Sequence, residues 1–179
     1  PGLMGMILII TAVVSVSLSI VREKERGTIE QINVSPLSSL ELIIGKTIPY
    51  IVISLIDAAI VLFAGYILFG IVIKGSIFLL LLSTLMFLFS ALGLGIFISS
   101  VADSQQVAFQ AATVTSMVPS LVLSDFIFPI ESMPTVVQWV TNLTPAKFFI
   151  ATLRAILLRG VGITVFWDQL VYMLIFGII

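Results

Sequence analysis

Apolar positions fall in long unbroken runs, and the charges that separate them are concentrated at a few points along the chain. Leu3 to Val21 is a run of 19 residues with no charge, its only polar groups being the hydroxyls of Thr11, Ser15, Ser17 and Ser19. As a helix it is long enough to cross the hydrocarbon of a bilayer. It stops at Arg22-Glu-Lys-Glu-Arg-Gly-Thr-Ile-Glu30, which carries six charges in nine residues. Each charge would cost about 3 kcal/mol at the bilayer centre, so this segment sits in water. After Pro36, Ser38-x-x-Glu41 spells a capping box and Leu37 can staple onto Leu42. A new helix is therefore predicted from Ser38, amphipathic through Lys46. Thr47 to Ile73 follows as a 27-residue apolar run interrupted by Pro49 and Asp57, enough for a second span with some tilt or kink. Lys74-Gly75 predicts the turn of a tight helical hairpin, because Ser76 to Ile98 is a further apolar run of 23 residues. Beyond a short polar loop from Ser99 to Gln106, Val107 to Leu123 predicts a fourth span.

From Ser124 the pattern changes. Asp125, Pro129, Glu131, Pro134, Asn142 and Pro145 punctuate apolar stretches too short to span. Proline breaks helices, so the expectation is two short re-entrant helices dipping into the membrane from outside, with an ordinary outer loop as the alternative. Phe148 to Leu158 predicts a short helix ending near Arg154 and Arg159, while Trp139, Phe148 and Phe149 are expected at the membrane interface. A fifth span starts at Val165. The chain opens on Pro1 and stops inside that run, so the reading is of a domain incomplete at both ends. The predicted fold is an all-α polytopic membrane protein: a bundle of about five visible transmembrane helices, a cytoplasmic loop and interfacial helix over residues 22–46, and an outer re-entrant region over 124–160.

Composition narrows the class. Of the 179 residues 60% are hydrophobic and 9% charged, against about 25% charged in soluble domains, and the mean hydropathy is +1.28. Recurrence of the apolar runs excludes a signal peptide followed by a soluble domain. A net charge of −1, with no basic cluster beyond the mixed run at Arg22, leaves no footprint for nucleic acid. The chain has neither cysteine nor histidine, which removes disulfides, Cys/His metal sites, thiol nucleophiles and the usual general base. No catalytic residue and no metal site is expected, and an intramembrane enzyme lacks its constellation. Four Lys/Arg between Arg22 and Lys46 against one in the Lys74 turn place the first loop in the cytoplasm. Lys147, Arg154 and Arg159 oppose that count, although basic residues at helix ends can snorkel to either face.

Two groups of residues are candidates for function. The charges from Arg22 to Glu30 sum to zero, unlike a polybasic lipid anchor. Alternating signs suit docking of a protein partner, with Ile29 and Ile32 as an apolar anchor; a solvated loop whose ion pairs satisfy one another is the competing reading. On the second span Thr47, Tyr50, Ser54 and Asp57 recur at three- and four-residue steps and form one polar stripe, continued by the small residues Ala64 and Gly65. An intramembrane acid marks a transport pathway by default, which makes Tyr50, Ser54 and Asp57 pathway candidates; hydrogen-bonded glue between helices is the alternative. Ala91 with Gly95, and Gln106 with Gln110, read as packing devices. The Asn142-Leu-Thr144 acceptor sequence is given no role.

The order of these features resembles the type-2 ABC exporter permease family: an apolar span, Arg22-Glu-Lys-Glu-Arg-Gly-Thr28, Ser35-Pro-Leu-Ser38, and a long span. Phe126-Ile-Phe-Pro-Ile-Glu-Ser-Met-Pro134, Asn142-x-x-Pro145 and Arg154 to Gly160 are similar to that family's motif after its fifth helix. The resemblance covers essentially the whole chain. It implies that Arg22, Glu23, Lys24, Glu25, Arg26, Gly27, Thr28 and Glu30 couple to a separate cytoplasmic ABC ATPase subunit. ATP and Mg would be held there and not by this chain, which has no phosphate-binding loop. It further implies a second permease subunit, identical or paralogous, in the cell inner membrane. The outer region, with Pro129, Glu131, Pro134, Pro145 and Arg154, would cap the pathway, and family substrates range from drugs to polysaccharides and lipids. Few polar side chains line the spans, which favours an amphipathic or hydrophobic substrate. Asp125 departs from the glycine more usual there. An ion-coupled secondary transporter using Asp57 is the alternative function, against which no internal repeat with paired broken helices is visible.

Overall fold

The computed structural model describes residues 1–27, 39–70, 73–125, 128 and 130–178. Every regular element is helical, with no strand among the described residues. Four long helices come first: α1 (Gly2–Glu25), α2 (Ser39–Phe69), α3 (Ile77–Val101) and α4 (Gln105–Val122). A 3-10 turn (Ile130–Ser132) leads to α5 (Thr135–Thr141) and α6 (Pro145–Arg154), which runs on as a π turn (Ala155–Arg159). A second 3-10 turn (Ile163–Val165) leads to α7 (Trp167–Ile178). Among the described residues α1, α2 from Ile43, and α3 are long and apolar enough to cross a membrane. The fourth expected span forms a helix of 18 residues, but Gln105, Gln106 and Gln110 hold it below that apolarity. The fifth, α7, is apolar and 12 residues long.

Helix α1 continues past Arg22, because Glu, Lys and Arg are themselves good helix formers. Gly27 stops it at φ +68°, a left-handed conformation that glycine takes without a Cβ clash. The Arg26 and Gly27 amides close the last turn on the Arg22 and Lys24 carbonyls. The Ser38 cap predicted for α2 lies outside the described residues.

Lipid is as apolar as leucine, so helices in a membrane associate through close packing and polar contacts rather than through hydrophobic exclusion. Small residues stand at the closest approaches. Gly95 of α3 faces α1, where an added Cβ would come within 3.0 Å of the Val13 carbonyl, and Ala91 one turn away is buried. The Ala91/Gly95 pair is thus a packing device. On α4, Ala108, Ala112, Ser116 and Ser120 recur every fourth residue and are all buried, on a helix whose main neighbour is α1.

Helix α2 stands apart. It leans chiefly on α1 and only lightly on α3, leaving Ile48, Val52, Ile56, Ile60, Phe63 and Ile67 exposed. The second and third spans touch only lightly, since α1, α6 and α7 cover much of α3, and α2 ends at Phe69 rather than at the expected Lys74-Gly75 turn. The Lys74-Gly75 segment packs instead on the end of α6. An added Cβ on Gly75 would meet the Ile156 carbonyl at 2.8 Å, and one on Gly160, at φ +65°, would meet the Lys74 carbonyl at 3.1 Å.

Helix α6 lies inside the bundle, against α1, α3 and α7. The Phe149 ring stacks on Phe87 with centroids 4.0 Å apart, Phe148 stacks on Tyr172 at 4.8 Å, and Ile150 abuts Gly5. This corrects the interfacial placement of Phe148 and Phe149, both buried; Trp139 of the same trio is 77% exposed. The physical reason is Pro145. At the first helical position its fixed φ favours the helix and its missing N–H costs nothing, so it opens α6 rather than breaking one. Phe87 is ten residues into α3, about 15 Å from its start. Helix α6 therefore begins roughly halfway along α3 and climbs to the level of Lys74.

Candidate functional site

The charged end of α1 is a junction of three helices. Glu23 pairs with Lys46 of α2, one turn before Tyr50. Toward the turn between α3 and α4, the Lys24 ammonium donates to the Ala102 carbonyl at 3.0 Å and lies 3.6 Å from Asp103. Glu25 accepts the Gln105 backbone N–H at 2.7 Å and its side-chain amide as well. Arg22 Nε donates to Gln105 Oε1 at 3.3 Å. A carboxylate that accepts two N–H groups at the start of α4 also meets the positive end of that helix. Four of the coupling candidates, Arg22, Glu23, Lys24 and Glu25, are thus brought together and engaged. Arg26 is exposed and has no hydrogen bond or ion pair among the described residues. Gly27 ends the helix, and Thr28 and Glu30 lie outside the described residues, as do Ile29 and Ile32.

The partners on the far side of this junction, Asp103 and Gln105, were not singled out by the sequence. Gln106 and Gln110 were, but both are exposed on α4. What distinguishes Gln105 is its place directly after the α4 N-cap Ser104, whose hydroxyl accepts the Val107 amide at 3.3 Å. That position puts it at the level of the α1 terminus.

A cavity of about 590 Å³ opens beside the junction, lined by Ser15, Ser19, Arg22, Glu23 and Arg26 of α1 and by Tyr50 of α2, with Leu18 between them. Tyr50 therefore faces the charged end of α1. Ser54 and Ala58 are buried and Asp57 half-buried, so the polar stripe of α2 turns toward α1, its main neighbour. Asp57 has no hydrogen bond or ion pair among the described residues. Thr47 bonds back to the Ile43 carbonyl at 2.6 Å. The α1 hydroxyls at Thr11, Ser15 and Ser19, one helical turn apart, form the facing stripe. That four-residue spacing was readable in the sequence and was not combined with α2.

At the other end, Asp125 adopts φ +62°. Its carboxylate pairs with Arg154 Nη1 and accepts the Ile130 amide at 3.2 Å, while Arg154 Nη2 donates to the Asp125 carbonyl at 2.6 Å. A left-handed residue explains why glycine would suit this position, and the carboxylate's contacts with Arg154 and the Ile130 amide supply what a glycine would lack. Pro145 is buried at the start of α6; Glu131 and Pro134 are exposed around α5, and Pro129 lies outside the described residues. Lys147 bonds Thr141 at 2.9 Å and Asn142 at 2.6 Å, tying α5 to α6. Among the described residues no cluster of His, Cys, Asp or Glu could hold a metal ion.

An all-α bundle with three helices long and apolar enough to cross a membrane, a charged junction at one end and an inserted short helix at the other defines a multi-pass membrane protein. The chain belongs to the ABC-2 type transporter family, whose model matches residues 1–158. It is 34% identical over 160 residues to the probable multidrug ABC transporter permease YbhS of Escherichia coli K12, covering 89% of this chain and 42% of that protein. With the probable multidrug ABC transporter permease YbhR of the same organism it shares 34% identity over 170 residues, 95% of this chain and 46% of that one. The inner membrane transport permease YhhJ, also from E. coli K12, is 31% identical over 180 residues, 98% and 48% respectively. The chain thus spans less than half the length of these curated relatives. No solved structure matches it significantly.

Proposed function

We propose that this chain is the membrane-spanning part of an ABC exporter permease, with ATP and Mg bound by a separate cytoplasmic ATPase subunit. The observation that carries the reading is the junction at Arg22–Glu25, where one helix end is fastened both to the start of α2 and to the turn that begins α4. A force applied there by an ATPase reaches three helices at once, which is what coupling between a distant nucleotide site and the spans requires. The Arg22 end then faces the cytoplasm, and α5 and α6 form the outer re-entrant cap over the pathway.

The substrate is amphipathic or hydrophobic, in keeping with the multidrug wording of two relatives' names. A second permease subunit, the same chain or a paralogue, completes the pathway in the inner membrane, the location named for the YhhJ relative. Family membership and the junction together favour this reading over an ion-coupled carrier driven through Asp57. Native purification of the full-length protein in mild detergent tests it. An ABC ATPase and a second permease chain should accompany it in stoichiometric amounts, and a preparation in which no ATPase ever copurifies would overturn the reading.

A further inference from the structure

The groove between α1 and α2 is polar in one half and apolar in the other. Toward the Arg22 end its walls carry Ser15, Ser19 and Tyr50. Toward the Pro1 end a second cavity, of about 280 Å³, is walled by Met4 and Ile7 of α1 and by Ile60, Val61 and Leu68 of α2. Asp57 falls between the two, two turns beyond Tyr50 and one turn before Ile60 and Val61. The antiparallel register set by Glu23 and Lys46 brings it level with Thr11. The Thr11 hydroxyl donates to its own helix, to the Ile7 carbonyl at 3.0 Å, so its proton is not free for the carboxylate. Asp57 is left half-buried without hydrogen bond or ion pair among the described residues, in a span where an acid costs about 3 kcal/mol.

The geometry points to a binding site for a lipophilic organic cation in this groove, its charge against the Asp57 carboxylate and its apolar body in the adjoining cavity. An inorganic ion fits poorly, since metal cations take several oxygen ligands and the described residues hold no cluster of acids. The anchor is one carboxylate beside an apolar chamber, the pairing that small-molecule sites use for orientation and for affinity. Arg22 and Arg26 stand at the polar mouth, roughly 15 to 20 Å along the groove from Asp57, and repel a cation approaching from that side. The exposed flank of α2 makes entry from the membrane the open route. This inference rests on the exporter reading and specifies its substrate class.

The test is equilibrium binding of tetraphenylphosphonium to the purified full-length chain, with tetraphenylborate as the anion of the same shape. Saturable tetraphenylphosphonium binding is expected, weakened at least about tenfold, a difference of 1.4 kcal/mol, by Asp57→Asn and retained by Asp57→Glu. Ile60→Trp, which fills the apolar cavity without touching the charge, should weaken it as well. The site is overturned if wild type shows no saturable binding, if Asp57→Asn binds as tightly as wild type, or if tetraphenylborate shows the same dependence on Asp57. Copurification of the ATPase, scored on the same preparations, separates the two claims. An ATPase present without Asp57-dependent binding sinks the cation site alone, whereas binding without any ATPase sinks the exporter reading.

Discussion

Single atoms decide the closest contacts in this bundle. At Gly95 the missing side chain lets α3 approach the Val13 carbonyl of α1, and there is no flexible neighbour to give way, because backbone stands opposite. Gly95→Leu should therefore force the two helices apart at a cost of about 1 to 3 kcal/mol, read as a lower thermal midpoint of the detergent-purified protein. An unchanged midpoint would mean that the helices do not meet there. Asp125 offers a second residue-scale prediction. Its left-handed backbone disfavours alanine for reasons of strain, whereas glycine relieves the strain, and both variants lose the carboxylate's contacts with Arg154 and the Ile130 amide while keeping the carbonyl that Arg154 also holds. Asp125→Ala should thus destabilise more than Asp125→Gly. A double-mutant cycle between Asp125→Gly and Arg154→Gln should show coupling of about 1 kcal/mol, modest because both side chains are partly exposed. Equal midpoints for the two Asp125 variants would remove the backbone argument.

Helix boundaries follow from hydropathy, but neighbours do not. The first three spans were legible to within a few residues, although α1 runs on through the charges from Arg22 to Glu25 and α2 stops at Phe69, before the expected Ile73, where Gly70 takes φ +62°. The role of α6 was not legible. Pro145 reads as a breaker in isolation, and the burial of Phe149 depends on Phe87, which is 62 residues earlier in the chain. Hydropathy also cannot say which glutamine is engaged: Gln105 differs from Gln106 only in facing Glu25 across the α3–α4 turn. The Glu23–Lys46 pair joins two elements across residues that the sequence treats as one loop. Glu23→Lys alone should cost about 1 kcal/mol and loosen α2, visible as faster disulfide trapping between cysteines placed at Ser19 and Tyr50. The swap Glu23→Lys with Lys46→Glu should restore the wild-type rate. If the swap behaves like the single change, the pair does not hold α2 in place.

On the scale of the whole molecule, each end of the bundle is tied differently. At the Arg22 end, charged side chains fasten α1 to α2 and to the α3–α4 turn. At the Lys74 end, backbone contacts at Gly75 and Gly160 seat α6 against α3. Charge networks can exchange partners, and tight backbone packing moves as a block, a difference that suits the drive from the Arg22 end proposed above. Within that network Arg26 is the exposed coupling candidate with no partner among the described residues, and it can be altered with least disturbance to the fold. The measurement that tests this most directly is ATP hydrolysis by the full-length complex, with Arg26→Glu compared with wild type after correct membrane insertion has been verified. Copurification of the ATPase and its permease-stimulated hydrolysis should both fall, by about tenfold if one charge-assisted contact worth 1.4 kcal/mol is lost. Full binding and full stimulation by the Arg26→Glu protein would contradict the assignment of the α1 end as the coupling site.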